Sequence, residues 1–180
     1  MQTLASGVGD LKRLLTNVKT RGAWGEVALG NLLEEMMAPD QYERNVEIVP
    51  GSNQRVEYAI RLPGDGEIPV WLPLDAKFPM EDYDRLVDAS QRGDLDSVEI
   101  AAKGIESGIR VSARTISEKY IHSPHSTEFA VLFLPTEGLF AEVVRRPGLV
   151  DVLQREWHIM VAGPTTLVSL LVSLRVVSDH

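Results

Sequence analysis

The chain has 180 residues, of which 18 are basic and 26 are acidic, and its formal net charge is −8. This length suffices for the core of one domain, and we expect residues 1–180 to form a single domain. The absence of cysteine excludes disulfide scaffolds, zinc fingers, iron–sulfur sites and thiol nucleophiles. The acidity argues against unselective binding to nucleic acid or anionic membranes.

The apolar runs are shorter than the roughly 20 residues of a membrane-spanning helix, and the N-terminus lacks the basic and apolar blocks of a secretory signal. We therefore expect a soluble, cytoplasmic protein whose domain makes no membrane contact.

The first forty residues show helical spacing of apolar side chains from Leu11 onwards, and Pro39 ends this pattern. Each glycine in such a helix costs about 1 kcal/mol relative to alanine, so a compensating role is expected. Gly22, Glu26 and Gly30 lie four residues apart and therefore share one stripe. We expect these glycines to let another backbone come close beside the Glu26 carboxylate.

The middle of the chain predicts an antiparallel meander followed by two helices. The predicted strands are residues 46–50, 56–62 and 70–78, with a turn at Pro63-Gly64-Asp65-Gly66, and the predicted helices are residues 82–91 and 95–120.

The last third predicts a βαβ-like unit and a final helix. The uninterrupted apolar run 129–134 is typical of a central strand covered on both faces. Helices up to Pro147 and then to about Arg155, and a strand at 159–162, complete the unit, and Thr165 is the predicted N-cap of the final helix. The predicted class is α/β, with a mixed central sheet that contains the meander and is flanked by helices.

The predicted hairpin places two carboxylates together. A turn centred on Gly66 pairs Glu57 with Asp75, with Lys77 two residues further along the same face. Pro73 lacks an N–H group, so a bulge or an edge position would alter this register. The predicted core face carries Tyr58, Ile60, Leu62, Leu72, Leu74, Ala76 and Phe78, and the other face carries Arg55, Glu57, Ala59, Arg61, Trp71, Asp75 and Lys77.

Two interpretations of this patch remain open. Adjacent carboxylates repel unless a positive charge neutralises them, and a magnesium ion held by Glu57 and Asp75 would do so, with Lys77 orienting water and offsetting phosphoryl charge. Alternatively, the patch is a solvated sheet face with cross-strand ion pairs worth about 0.2–1 kcal/mol each.

Five sequence blocks resemble the RmuC family of DNA recombination proteins, and they occur in family order. The blocks are RGAWGE (21–26), VEYAIRLP (56–63), LDAKFP (74–79), FLPTEG (133–138) and AGPTTL (162–167).

The resemblance implies a restriction-endonuclease-like core of the PD-(D/E)xK type in a DNA recombination protein that limits rearrangement at inverted repeats. It implies a Mg²⁺- or Mn²⁺-dependent deoxyribonuclease with catalytic residues Glu26, Glu57, Asp75 and Lys77, of which Glu57 and Asp75 are the metal ligands. Family members often have aspartate at the position of Glu57, and the longer glutamate arm would alter how tightly a metal is held.

RmuC-like proteins usually carry a coiled coil before this domain and further residues after it. By this resemblance, the chain is an excised domain of a longer protein that self-associates through a coiled coil absent from this fragment.

Several other residues have two open interpretations. Lys119 and Tyr120, near a helix end, are candidate DNA contacts, although Lys119 would equally complement the helix dipole. Arg145 and Arg146 would touch a DNA backbone or form a solvated helix end. Glu137 lies where a strand ends, a common place for function in α/β sheets.

Two non-enzymatic hypotheses compete with the nuclease. One is a non-catalytic nuclease-fold module that serves as a DNA-structure or protein docking scaffold, which the lack of an obvious basic stripe favours. The other is an oligomerisation domain built on the long helices.

Overall fold

The computed structural model describes residues 18–63, 68–77 and 79–178, which form a five-stranded mixed sheet and six helices. The strands are β1 (Tyr42–Glu47), β2 (Arg55–Leu62), β3 (Val70–Ala76), β4 (Ala130–Phe133) and β5 (Ile159–Ala162), and they lie in the order β1-β2-β3-β4-β5. The helices are α1 (Val18–Met36), α2 (Met80–Arg92), α3 (Leu95–Tyr120), α4 (Glu137–Arg145), α5 (Leu149–Trp157) and α6 (Pro164–Ser178). The α/β class and the mixed, helix-flanked sheet are confirmed.

The sheet is antiparallel from β1 to β3 and parallel from β3 to β5. Alternate residues of β4 point into two different cores, as expected for a strand covered on both faces. Val131 and Phe133 pack with α1 and α6 on one face, and Ala130 and Leu132 pack with α2 to α5 on the other. The predicted central strand and βαβ unit are therefore confirmed.

The first predicted strand was placed too late in the chain. Residues 46–50 were expected to form it, whereas β1 starts at Tyr42 and ends at Glu47. The chain turns after β1, where Gly51 and Asn53 adopt positive φ angles of 85° and 60°. The pattern missed the start of β1 because that half of the strand is polar and exposed.

Pro73 leaves the register of the hairpin intact. Its nitrogen is on the side of β3 away from β2, at a point where pairing with the segment before β4 is interrupted, so no hydrogen bond of the hairpin is lost. Trp71 donates its N–H to the His125 carbonyl at 3.0 Å, and the Thr127 N–H donates to the Trp71 carbonyl at 2.9 Å. A continued parallel ladder would next require an N–H group from residue 73 to the Thr127 carbonyl. The Ser126 hydroxyl donates to that oxygen instead, at 2.7 Å.

The start of α6 corrects the prediction that Thr165 is its N-cap. The helix begins at Pro164, and the Thr166 hydroxyl accepts the Gly163 N–H at 2.7 Å. The Thr165 N–H donates to the Glu137 carboxylate at 2.7 Å. Glu137, on α4, therefore binds the N-terminal end of α6. This structural contact accounts for its position after β4.

Some predictions fall outside the described residues: the helical pattern before residue 18, the turn at Gly64-Asp65-Gly66 and the core position of Phe78. In the part of the chain that the structure describes, no helix is both long and apolar enough to cross a membrane.

Candidate metal centre at the end of the hairpin

The β2–β3 hairpin has the predicted register, with pairs that run from Leu62 and Val70 to Tyr58 and Leu74. This register points Glu57 towards Asp75, but the regular ladder ends one residue earlier. The N–H group of Ala76 donates to Oε2 of Glu57 at 3.0 Å. The side chain of Glu57 thus replaces a backbone acceptor at the point where β2 and β3 stop pairing.

Asp75 lies on β3, which pairs with β2 on one side and with β4 on the other. It is only 6% exposed, and β3 pairs with β4 at this point through Asp75 and Leu132. Nζ of Lys77 lies 3.4 Å from Oδ2 of Asp75, and the backbone N–H of Lys77 donates to the Phe133 carbonyl at 3.1 Å. The two functional groups of the Asp-x-Lys motif therefore meet on a rigid strand end.

The carboxyl groups of Glu57 and Asp75 lie close together, because Glu57 accepts the N–H of Ala76, the residue that follows Asp75. Burial, the charge of Asp75, hydrogen bonding to Asp75 and the charge of Glu26 together raise the pKa of Glu57 to about 9, against the opposing effect of the Ala76 N–H. Without a cation, the pair therefore shares one proton at neutral pH.

Glu26 approaches the pair from α1, which the glycines allow to pack closely. A Cβ atom at Gly25 would lie 3.3 Å from Cγ of Pro135 and 3.7 Å from Cβ of Ala76. A Cβ atom at Gly30 would clash with the Tyr58 hydroxyl. At Gly30 of the predicted stripe the close neighbour is therefore a side chain, which corrects the expectation of another backbone there, whereas the surroundings of Gly22 lie outside what the structure describes.

A cavity of about 400 Å³ adjoins the carboxyl pair. It is lined by Glu26, Arg44, Asn45, Glu57 and Tyr58. Although the charge of Glu26 reaches Glu57, no three His, Asp or Glu side chains among the described residues come together closely enough to hold a metal ion. The acids meet as a pair with a third carboxylate nearby.

Tyr120, the last residue of α3, lies near enough to the pair for both acids to act on its hydroxyl. Its hydroxyl donates to the Arg55 carbonyl at 3.0 Å, and burial together with the charges of Asp75 and Glu57 raises its pKa. Lys119 is exposed and makes no ion pair with any other residue that the structure describes.

The face that carries the acids is solvated only in part. Towards β1 it has cross-strand ion pairs, Arg61 with Glu43 at 2.9 Å and Arg55 with Glu47 at 3.6 Å. Towards β4 it is buried, and Trp71 is only 9% exposed. The interpretation as a solvated face therefore fits the edge of the sheet and does not fit Asp75.

Arg146 belongs to a structural cluster away from this site. It contacts Glu106 at 2.8 Å and Glu99 at 3.3 Å, and both acids lie on α3. Arg145 pairs with Glu142 at 2.7 Å. Arg146 therefore ties the end of α4 to α3 whereas Arg145 pairs within α4, which favours neither a DNA contact nor a simple solvated end for Arg146.

Sequence reasoning missed Asn45, which faces Glu57 from β1. The β1–β2 pairs continue on both sides of Asn45, but the position itself is unpaired and has a positive φ of 58°. Asparagine tolerates this left-handed conformation better than most residues, which is the one signal that the sequence offers.

The RmuC family model matches residues 1–179. A DNA recombination protein RmuC homolog from Xylella fastidiosa (strain Temecula1) is 55% identical over 177 residues, which are 97% of this chain and 39% of that protein. A homolog from Chlamydia pneumoniae is 32% identical over 165 residues, covering 89% of this chain and 36% of that protein. The DNA recombination protein RmuC of Escherichia coli (strain K12) is 29% identical over 169 residues, 89% of this chain and 33% of that protein.

This chain thus spans between 33% and 39% of the length of these three relatives. No solved structure matches it. The match of the family model over nearly all of its residues shows that the chain belongs to the RmuC family.

Proposed function

We propose that this chain is a metal-dependent endonuclease-like domain of a DNA recombination protein, and that it hydrolyses DNA phosphodiesters at Glu57 and Asp75. The observation that carries the proposal is the close approach of these two carboxyl groups at a buried strand end, with the Lys77 amine beside them. The names of the RmuC relatives supply the link to DNA recombination.

The donor set fits a magnesium or manganese ion. Magnesium is usually held by one or two protein carboxylates and keeps water or substrate oxygens in its other positions, so a pair suffices. Glu57 and Asp75 would hold the ion, whose charge would replace the proton that the pair shares. When bound, the ion supplies Lewis-acid activation of water and of a phosphodiester oxygen.

Lys77 and Glu26 complete the proposed catalytic group. The Lys77 side chain is 43% exposed while its amine lies 3.4 Å from Asp75, so it can face both the carboxylate and a substrate. There it orients water and offsets the negative charge that develops on the phosphoryl group. Glu26 acts as an accessory acid from the wall of the adjoining cavity.

The sheet order supports a restriction-endonuclease-like core as part of this proposal. The meander β1–β3 delivers Glu57 and Asp75 to one end of the sheet, and the crossover through α2 and α3 adds the parallel strand β4 that fixes the Asp-x-Lys motif. Lys119 and Tyr120, at the end of that crossover, are the proposed DNA contacts beside the pair.

A second candidate is the non-catalytic docking scaffold. It is favoured by the finding that no three metal-ligating side chains cluster among the described residues. In that case the shared proton alone stabilises the carboxyl pair, and Asp75 has a structural role.

Cleavage of single-stranded, duplex and branched DNA with magnesium separates the two candidates. We expect cleavage by the parent chain and a loss of at least about 100-fold in Asp75→Asn. Asp151→Asn is the matched control, because Asp151 is 65% exposed and lies on α5, and it should cleave like the parent. Equal cleavage by Asp75→Asn, or none by the folded parent, would contradict the proposal and favour the scaffold.

A further inference from the structure

The cavity beside the carboxyl pair is lined by a basic side chain that the proposed chemistry does not use. Arg44 lies on β1, is exposed, and lines this cavity together with Glu57. Among the described residues it is the basic side chain of the cavity wall. Its positive charge partly opposes the rise that burial causes in the pKa of the Tyr58 hydroxyl.

The acids near Arg44 do not neutralise it by direct contact. Glu26 lines the same cavity, yet none of the ion pairs formed by the described residues involves Arg44. The two other arginines of this hairpin region differ, because Arg55 and Arg61 pair with Glu47 and Glu43 across β1 and β2. Arg44 thus keeps its guanidinium available for a ligand.

The backbone of β1 separates Arg44 from these paired arginines. Arg44 pairs with Tyr58 in the β1–β2 ladder, so the two residues share the face on which α1 packs. The next residue, Asn45, leaves the ladder through its left-handed conformation, and its carbonyl accepts a hydrogen bond from Nη1 of Arg55 at 3.1 Å. Asn45 thus interrupts the β1–β2 ladder next to Arg44, and both residues line the cavity together with Glu57.

The cavity has a proposed cation site at the carboxyl pair and the Arg44 guanidinium in its wall, and these two positive charges indicate an anionic ligand that reaches from one to the other. A cation at Glu57 and Asp75 would attract a phosphodiester, and the guanidinium that lines the same cavity as Glu57 would meet a second oxygen of the same backbone. Arginine suits this contact because its planar fork binds phosphate through two parallel hydrogen bonds.

We infer that Arg44 contacts a phosphate of the DNA strand held at the Glu57–Asp75 pair and positions that strand across the cavity; the inference rests on the proposed function. Arg44 is a positioning residue in this arrangement, and its contact with the backbone is independent of base sequence.

Binding of a fluorescent single-stranded oligonucleotide, measured by anisotropy with calcium at several salt concentrations, tests the inference. We expect Arg44→Gln to bind about tenfold more weakly, with the slope of log affinity against log salt reduced by about 0.7, the value for one lost contact to a single strand. Arg44→Lys should keep the slope because it keeps the charge. Arg155→Gln is the matched control, since Arg155 is 68% exposed on α5, and it should bind like the parent.

The outcomes separate this inference from the proposed function. If the parent cleaves DNA with magnesium while Arg44→Gln binds the oligonucleotide like Arg155→Gln, the inference is wrong and the nuclease stands. If binding depends on Arg44 while the folded parent cleaves no DNA, the phosphate contact stands and the proposed function is wrong. If the parent binds no DNA, the inference is overturned.

Discussion

Two clusters of charged side chains in this molecule have similar compositions and opposite electrostatics. In the α3 cluster, defined by Glu99, Glu106, Arg110 and Arg146, the hydrogen bond from Arg146 holds the pKa of Glu106 below its usual value. In the hairpin cluster, defined by Glu57, Asp75 and Lys77, burial and the neighbouring acid raise the pKa of Glu57 to about 9.

The difference lies in how many cations each cluster supplies and how deeply its acids are buried. Arg110 and Arg146 both contact Glu106, at 3.2 and 2.8 Å, so that carboxylate is stabilised in its charged form. Lys77 is the one cation that contacts the carboxyl pair among the described residues, and Glu26 adds negative charge nearby. Perturbed acids without enough cations are typical of functional sites, whereas matched networks are typical of structural ones.

The pH dependence of stability should distinguish the clusters most strongly. The folded state holds the Glu57 proton up to a pKa of about 9, against a usual value of 4.5, so the stability gained from this proton is complete below pH 4.5 and is lost as pH rises towards 9. Without divalent cations, Glu57→Gln should reduce this loss by about 3 kcal/mol between pH 5.5 and 8.5, measured by urea unfolding.

Glu106→Gln is the control for this experiment. The pKa of Glu106 is lowered, so its contribution is present above pH 4.5 and is lost only in more acidic solution. It should leave the change in stability between pH 5.5 and 8.5 as in the parent. A Glu57→Gln variant with the same pH profile as the parent would show that the pair does not hold a proton.

Lys77→Met tests the function of the hairpin cluster. We expect magnesium-dependent cleavage to fall about 100-fold, because the amine that offsets phosphoryl charge is lost. The free energy of unfolding should change by less than about 1 kcal/mol, since the Lys77 side chain is 43% exposed. Cleavage within threefold of the parent would remove Lys77 from the catalytic group.

Arg146→Met tests the structural cluster. It should lower the free energy of unfolding by about 2 kcal/mol, because Glu106 and Glu99 lose their shared partner on a mostly buried side chain. Arg145→Met is the matched control, since Arg145 is 71% exposed, and should change stability by less than about 0.5 kcal/mol. Neither variant should alter DNA cleavage, and a loss of activity in folded Arg146→Met would contradict the division into two clusters.

Substitution of Asn45 has the smallest expected effect. Asn45→Val should cost about 1 kcal/mol of stability because a β-branched residue is strained at a φ of 58°. Asn45→Gly tolerates this conformation and should stay within a few tenths of a kcal/mol of the parent. Equal stability of the two variants in urea unfolding would show that the left-handed backbone is not required beside Glu57.

The parts of the fold that sequence predicted well are those where burial imposes a strict pattern. The turn centred on Gly66 predicts the register of β2 and β3, and their apolar residues reinforce it, because a slip by one residue would expose Ile60 and Leu74. The uninterrupted apolar run of β4 indicated two covered faces. These patterns are sufficient to predict that Glu57, Asp75 and Lys77 lie together.

The parts that sequence missed depend on polar contacts between distant segments. The bond from the Thr165 N–H to Glu137 joins residues 28 positions apart, and no local pattern indicates it. Likewise, Arg146 resembled a solvated basic residue until α3 placed Glu106 beside it. The two charge clusters look alike in sequence. The burial of their acids and the number of cations that contact them depend on how the chain packs, which no local pattern shows.

The most direct test of the central claim is calorimetric titration of the chain with magnesium or manganese at pH 7.5, in two buffers of different ionisation enthalpy. The account predicts one cation bound per chain with release of close to one proton, and loss of this binding in Asp75→Asn while Glu106→Gln binds like the parent. No binding by the folded parent, or the same binding in Asp75→Asn, would contradict it.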